Sequence, residues 1–70
     1  MNEGIKRLPD GSQSLFGEGQ TVFHQTANKG PGKILSVDFR GRCWVYIVAF
    51  QNCQGLFAEY ELSATNRFDH

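Results

Sequence analysis

The run Lys33-Ile34-Leu35-Ser36-Val37-Asp38-Phe39-Arg40-Gly41-Arg42-Cys43-Trp44-Val45-Tyr46-Ile47-Val48-Ala49-Phe50 decides the fold. Two stretches rich in β-branched and aromatic residues flank Arg40-Gly41-Arg42, where Gly41 is free to take a positive φ and turn the chain tightly. Alternation assigns Leu35, Val37 and Phe39 to one face of the first strand and Ile34, Ser36 and Asp38 to the other. In the second strand Trp44, Tyr46, Val48 and Phe50 share one face, and Cys43, Val45, Ile47 and Ala49 the other. Both of its faces are apolar, yet only one face of a barrel strand can line the interior. The larger side chains are assigned inward, which predicts a core of Trp44, Tyr46, Val48, Phe50, Leu35, Val37 and Leu62.

The pattern continues on both sides of this run. Thr21 to Thr26 alternates like a strand, and Asn28-Lys29-Gly30-Pro31-Gly32 breaks it with strong loop chemistry. Gln51-Asn52-Cys53-Gln54-Gly55 turns the chain, Leu56 to Tyr60 returns as a strand, and Glu61-Leu62-Ser63 is expected to form one helical turn. No stretch keeps a helical period with caps, and no internal repeat is present. Four to five short antiparallel strands at even spacing predict an all-β fold, closed into a small barrel because a flat sheet of this size would leave both edges open. The expected organisation is a flexible N-terminal arm over residues 1–18, the barrel over 19–64 and a polar tail over 65–70. Leu15 and Phe16 are placed to anchor the end of the arm.

Seventy residues allow one domain, and nine aromatic side chains enlarge a core that is otherwise marginal at this length. Seven basic residues balance seven acidic ones, which argues against a dedicated nucleic-acid binder. Two cysteines are too few for a secreted disulfide scaffold. No signal-peptide pattern is present, and the longest apolar run, Cys43 to Phe50, is too short to cross a bilayer. The expectation is a cytoplasmic protein with no membrane partner.

Gly19-Gln20-Thr21-Val22-Phe23-His24, Gly30-Pro31-Gly32-Lys33-Ile34-Leu35-Ser36-Val37, Tyr46-Ile47-Val48-Ala49-Phe50, Phe57 and Glu61-Leu62 together resemble the Tudor-like and SH3-like modules at the C-termini of bacterial repair helicases. They are also similar to the polymerase-interacting domain of CarD-type and transcription-repair coupling factors. The resemblance spans Gly19 to Leu62 and implies an SH3-like barrel that binds a partner. The loop from Thr26 to Gly30 is longer than in those families, and no polymerase-binding residues carry over. The plasmid-borne type II dihydrofolate reductases are similar in length and barrel pattern. Their Val-Gln-Ile-Tyr motif is missing, with Leu56-Phe57-Ala58-Glu59 at the nearest position, so that enzyme is a distant alternative.

Candidate sites follow from the same alternation. If Tyr46 and Val48 face inward, Val45 and Ile47 face outward, and Leu56 and Ala58 on the returning strand lie beside them. Val45, Ile47, Leu56 and Ala58 therefore form the expected partner-binding or oligomer surface of a non-catalytic adaptor, whose partner is another protein or a second copy in a homodimer or larger assembly. Lys29, Lys33, Arg40 and Arg42 fall in two consecutive turns, with Phe39 and Trp44 beside the second. They define the alternative, a nucleic-acid patch that a zero net charge would hide, with Glu59, Glu61 and Asp69 gathered late in the chain. His24 is expected to be half-buried and to bond a backbone carbonyl. Cys43 and Cys53 are too far apart in sequence for a zinc pair with His24 or His70, so no metal is assigned. No nucleophile–base pair, paired acids or phosphate loop appears, since Gly30-Pro31-Gly32 lacks the P-loop ending; no catalytic residue and no cofactor are assigned.

Overall fold

The computed structural model describes residues 5–66. Asp69 and His70, and the ends of the arm and of the tail, lie outside them. The chain forms five antiparallel strands: β1 (Thr21–His24), β2 (Gly32–Arg40), β3 (Cys43–Ala49), β4 (Gln54–Ala58) and β5 (Leu62–Ser63). They lie in the order β4-β3-β2-β1-β5. The expected helical turn arrives earlier than predicted, as a single 3-10 turn over Glu59–Glu61, and Leu62–Ser63 pairs with β1 instead of coiling. Among the described residues no helix is long and apolar enough to cross a membrane.

A two-residue turn joins β2 to β3, with Arg40 opposite Cys43. Gly41 and Arg42 both hold positive φ, at 55° and 68°. Left-handed conformations at both central positions match the right-handed twist of the flanking strands, so this turn closes the hairpin without splaying it. Arg42 adopts a conformation that disfavours a Cβ.

The first half of β2 departs from the predicted facing. Ile34 pairs with Val48 but Ser36 pairs with Ile47, so Leu35 is an extra residue in a β-bulge. A bulge shifts the alternation by one. Ile34 therefore turns inward and is buried to 1% exposure, while Leu35, expected in the core, is 46% exposed. Beyond the bulge the predicted phase holds: Val37 is buried and Asp38 is exposed. Trp44, Tyr46, Val48, Phe50 and Leu62 are buried as expected, joined by Phe16 and Val22.

Residues 5–20 pass over one end of this core. A small hairpin pairs Arg7 with Gln13 about a turn at Pro9-Asp10-Gly11. Phe16 then stacks edge-on against Tyr46, ring centroids 5.5 Å apart. The Tyr46 hydroxyl accepts the Leu15 and Phe16 amides at 3.1 and 3.3 Å and donates to Glu59 Oε2 at 2.6 Å. Burial, and then the Glu59 carboxylate, push the Tyr46 phenol well above its ordinary pKa.

Candidate functional site

Two register pairs build the outer face of the sheet. Val45 lies opposite Ala58, and Ile47 opposite Leu56. The inner neighbours Tyr46 and Val48 fill the core, so these four must point outward. Val45 and Ala58 are half-buried, whereas Ile47 and Leu56 are 37% and 51% exposed. The bulge adds Leu35. Leu35 and Ser36 together oppose the single residue Ile47, so Leu35 emerges beside Ile47 on the outer face. Leu35, Ile47 and Leu56 thus form an exposed apolar row across β2, β3 and β4. Simple alternation hid the first member of this row, because nothing in Ile34-Leu35-Ser36 announces the bulge.

The four cations of the alternative reading are not gathered in one place. Lys29 follows β1, with Nζ 4.0 Å from Cys53 Sγ, and Lys33 is the second residue of β2. Arg40 and Arg42 sit at the far end of β2. Lys33 and Arg40 are seven positions apart, about 23 Å along an extended strand. Arg40 Nε pairs with Asp38 Oδ2 at 2.7 Å on the open surface. Its hydrogen bond, together with the Phe39 amide, holds the Asp38 carboxyl below the usual range.

A different group of cations does meet the aromatics. Lys6, Arg7 and Leu8 of the N-terminal hairpin face Val37, Asp38, Phe39 and Trp44 across a cleft of about 310 Å³. Phe39 and Trp44 pack edge-on, centroids 4.9 Å apart. Sequence spacing gave no sign of this cleft, because Lys6 and Arg7 are thirty or more positions from the strand residues that they face.

His24 differs from expectation in the direction of its bonds. Its Nδ1 accepts the Thr26 and Ala27 amides at 3.2 and 3.0 Å and, among the described residues, bonds no carbonyl. The ring is thereby assigned the tautomer with hydrogen on Nε2, which faces Glu61 Oε1 at 3.8 Å. Phe57 stacks edge-on against it. His24 thus caps the turn after β1. Both cysteines are free thiols. Among the described residues no three His, Cys, Asp or Glu side chains cluster to hold a metal.

No protein-family model, curated protein or solved structure matches the chain.

Proposed function

We propose that the chain is a non-catalytic binding module of SH3-like barrel form, and that its partner is a second copy of itself. The strand order β4-β3-β2-β1-β5 supports a barrel that closes at the Ala58 end of β4, where only the 3-10 turn separates β4 from β5, and leaves the Gln54–Leu56 edge open. The ring contact of His24 on β1 with Phe57 on β4 spans the same gap from inside.

The observation that carries the function is the exposed row Leu35, Ile47 and Leu56 on three adjacent strands. Small soluble monomers rarely leave neighbouring large apolar side chains uncovered together. A two-fold dimer sets such a row against the same row, without requiring a separate partner. A stable interface buries about 800 Å² on each partner, roughly a sixth of the 4818 Å² surface of this chain. Three side chains fall short of that, so the association is weak and reversible. Sedimentation equilibrium tests it: mass rises toward the dimer with concentration, and Leu56→Lys reduces that rise while the far-ultraviolet spectrum is unchanged. A parent that stays monomeric at millimolar concentration refutes the reading.

The cleft between Lys6, Arg7 and the Phe39–Trp44 pair favours a second reading, binding of single-stranded nucleic acid, because cations and aromatic rings act together on such strands.

A further inference from the structure

Self-association raises the question of how two copies meet, and the free edge of β4 carries an answer. β4 ends the strand order and pairs only with β3 among the described residues. Two separate bonds fix which of its backbone groups face outward. Phe50 N–H donates to Cys53 carbonyl at 2.7 Å, a bonded pair just beyond the β3–β4 ladder. In an antiparallel ladder bonded and unbonded pairs alternate. Val48 with Gly55 and Tyr46 with Phe57 are then the bonded pairs, and Gln54, Leu56 and Ala58 direct their N–H and C=O away from β3. The Ala58 amide agrees, since it donates to Glu61 Oε2 at 2.9 Å. The amides of Leu56 and Gln54 have no partner among the described residues.

Exposed edges are usually guarded by lysine, proline, a bulge or an inward charge. Gln54-Gly55-Leu56-Phe57-Ala58 contains no charge and no proline, and its register with β3 is unbroken. Its five residues are centred on Leu56. A two-fold axis through that centre sets Leu56 against the partner's Leu56, Gly55 against the partner's Phe57 and Gln54 against the partner's Ala58. No like charges meet. The outward groups of Leu56 bond in both directions, and Gln54 N–H reaches the carbonyl of the partner's Ala58, while the Ala58 amide stays with Glu61. The exposed row then runs unbroken from Leu35 through Ile47 and Leu56 into the same row of the partner.

We infer that two copies join edge to edge through antiparallel β4 strands centred on Leu56, making one continuous sheet. This rests on the self-association proposed above, and fixes its geometry against the alternative of two outer faces stacked on each other. In the edge geometry β3 and β4 both lie between Leu35 and the partner strand, whereas face stacking buries it.

The experiment compares Leu56→Lys, Leu35→Lys and single-cysteine variants made in a Cys43→Ser, Cys53→Ser background. Leu56→Lys sets two ammonium groups opposite each other and returns the protein to monomer, while Leu35→Lys leaves the dimer intact. A short bis-maleimide links Leu56→Cys copies, whose Cα atoms would lie about 5.5 Å apart as a bonded pair. It fails to link Ala58→Cys copies, which are displaced about 14 Å along the strands. Loss of the dimer in Leu35→Lys, with no Leu56→Cys linkage, overturns the edge geometry and leaves self-association standing. A parent that never exceeds monomer mass overturns both. If Leu56→Lys fails to fold, the two cysteine variants decide the question alone.

Discussion

The hydroxyl of Tyr46 donates to the carboxylate of Glu59 at 2.6 Å, and the same carboxylate accepts the Leu15 amide at 2.9 Å. One strand, the 3-10 turn and the N-terminal segment are therefore joined at a single point. Tyr46→Phe keeps the ring packing with Phe16 but removes the acceptor of the buried Phe16 amide. Leaving one such donor unpaired costs about 1–3 kcal/mol. Urea unfolding should show a loss in that range, and hydrogen exchange at Phe16 should accelerate more than exchange at Val48. An unchanged midpoint would mean that the latch contributes nothing to stability.

The same phenol makes stability depend on alkaline pH. Its pKa in the folded protein is raised above the ordinary phenol value of about 10. A raised pKa means that the folded state holds its proton longer than the unfolded chain does. The contribution is therefore complete below about pH 10 and is lost as pH rises toward the folded value. Denaturation midpoints measured at pH 8 and pH 11 should differ more for the parent than for Tyr46→Phe. Equal differences would place the alkaline sensitivity elsewhere.

Residues Ile34 and Leu35 test the bulge directly. Ile34→Ala should cost about 2–5 kcal/mol, the usual range for emptying a buried aliphatic site. Leu35→Ala should cost much less, about 0.5–1 kcal/mol, because nearly half of the residue is in solvent. A larger loss at Leu35 would mean that the strand runs without the bulge.

These pairs also mark what the sequence could convey. On β3 and at Phe50 just beyond it strict alternation was enough, and Trp44, Tyr46, Val48 and Phe50 are all buried. Val45, Ile47, Leu56 and Ala58 become cross-strand neighbours for the same reason. On β2 one inserted residue inverted Ile34 and Leu35, since a bulge is set by pairing with another strand and leaves little local trace. The Phe16 contact and the Lys6–Arg7 cleft were hidden because they join distant segments. The direction of the His24 bonds was equally hidden, since it depends on the fold of the following turn.

Gly30 and Gly32 are constrained for different reasons, and alanine should separate them. Gly30 holds φ at +73° with open space around its missing Cβ. Gly30→Ala should therefore cost about 1 kcal/mol from backbone strain alone. At Gly32 a Cβ would lie 2.6 Å from the Phe50 ring and 2.8 Å from Val48. Overpacking of a core typically costs about 1–3 kcal/mol, so Gly32→Ala should be the worse of the two in thermal unfolding. The reverse order would show that the ring of Phe50 yields readily.

Nucleic acid, if bound, should be read at the cleft and not at the β1–β2 loop. The sequence has a single tryptophan, so its fluorescence reports one place. Trp44 lines the cleft with Lys6 and Arg7, whereas Lys29 and Lys33 lie toward the opposite end of β2. Titration with a short oligothymidylate at low salt should change the Trp44 emission. Each phosphate neutralised on a single strand contributes about −0.7 to the slope of log affinity against log salt, so two cations predict a slope near −1.4. Replacing Lys6 and Arg7 together by glutamate should abolish the response, because both cations are lost and charge of the opposite sign takes their place. The same replacement at Lys29 and Lys33 should weaken it only slightly, since the cleft begins at Val37, about 13 Å along the strand from Lys33, beyond the Debye length of roughly 10 Å at 0.1 M salt. Equal losses from both pairs would point to a diffuse, sequence-wide attraction, and no change in emission at low salt would remove nucleic acid as a ligand of the cleft.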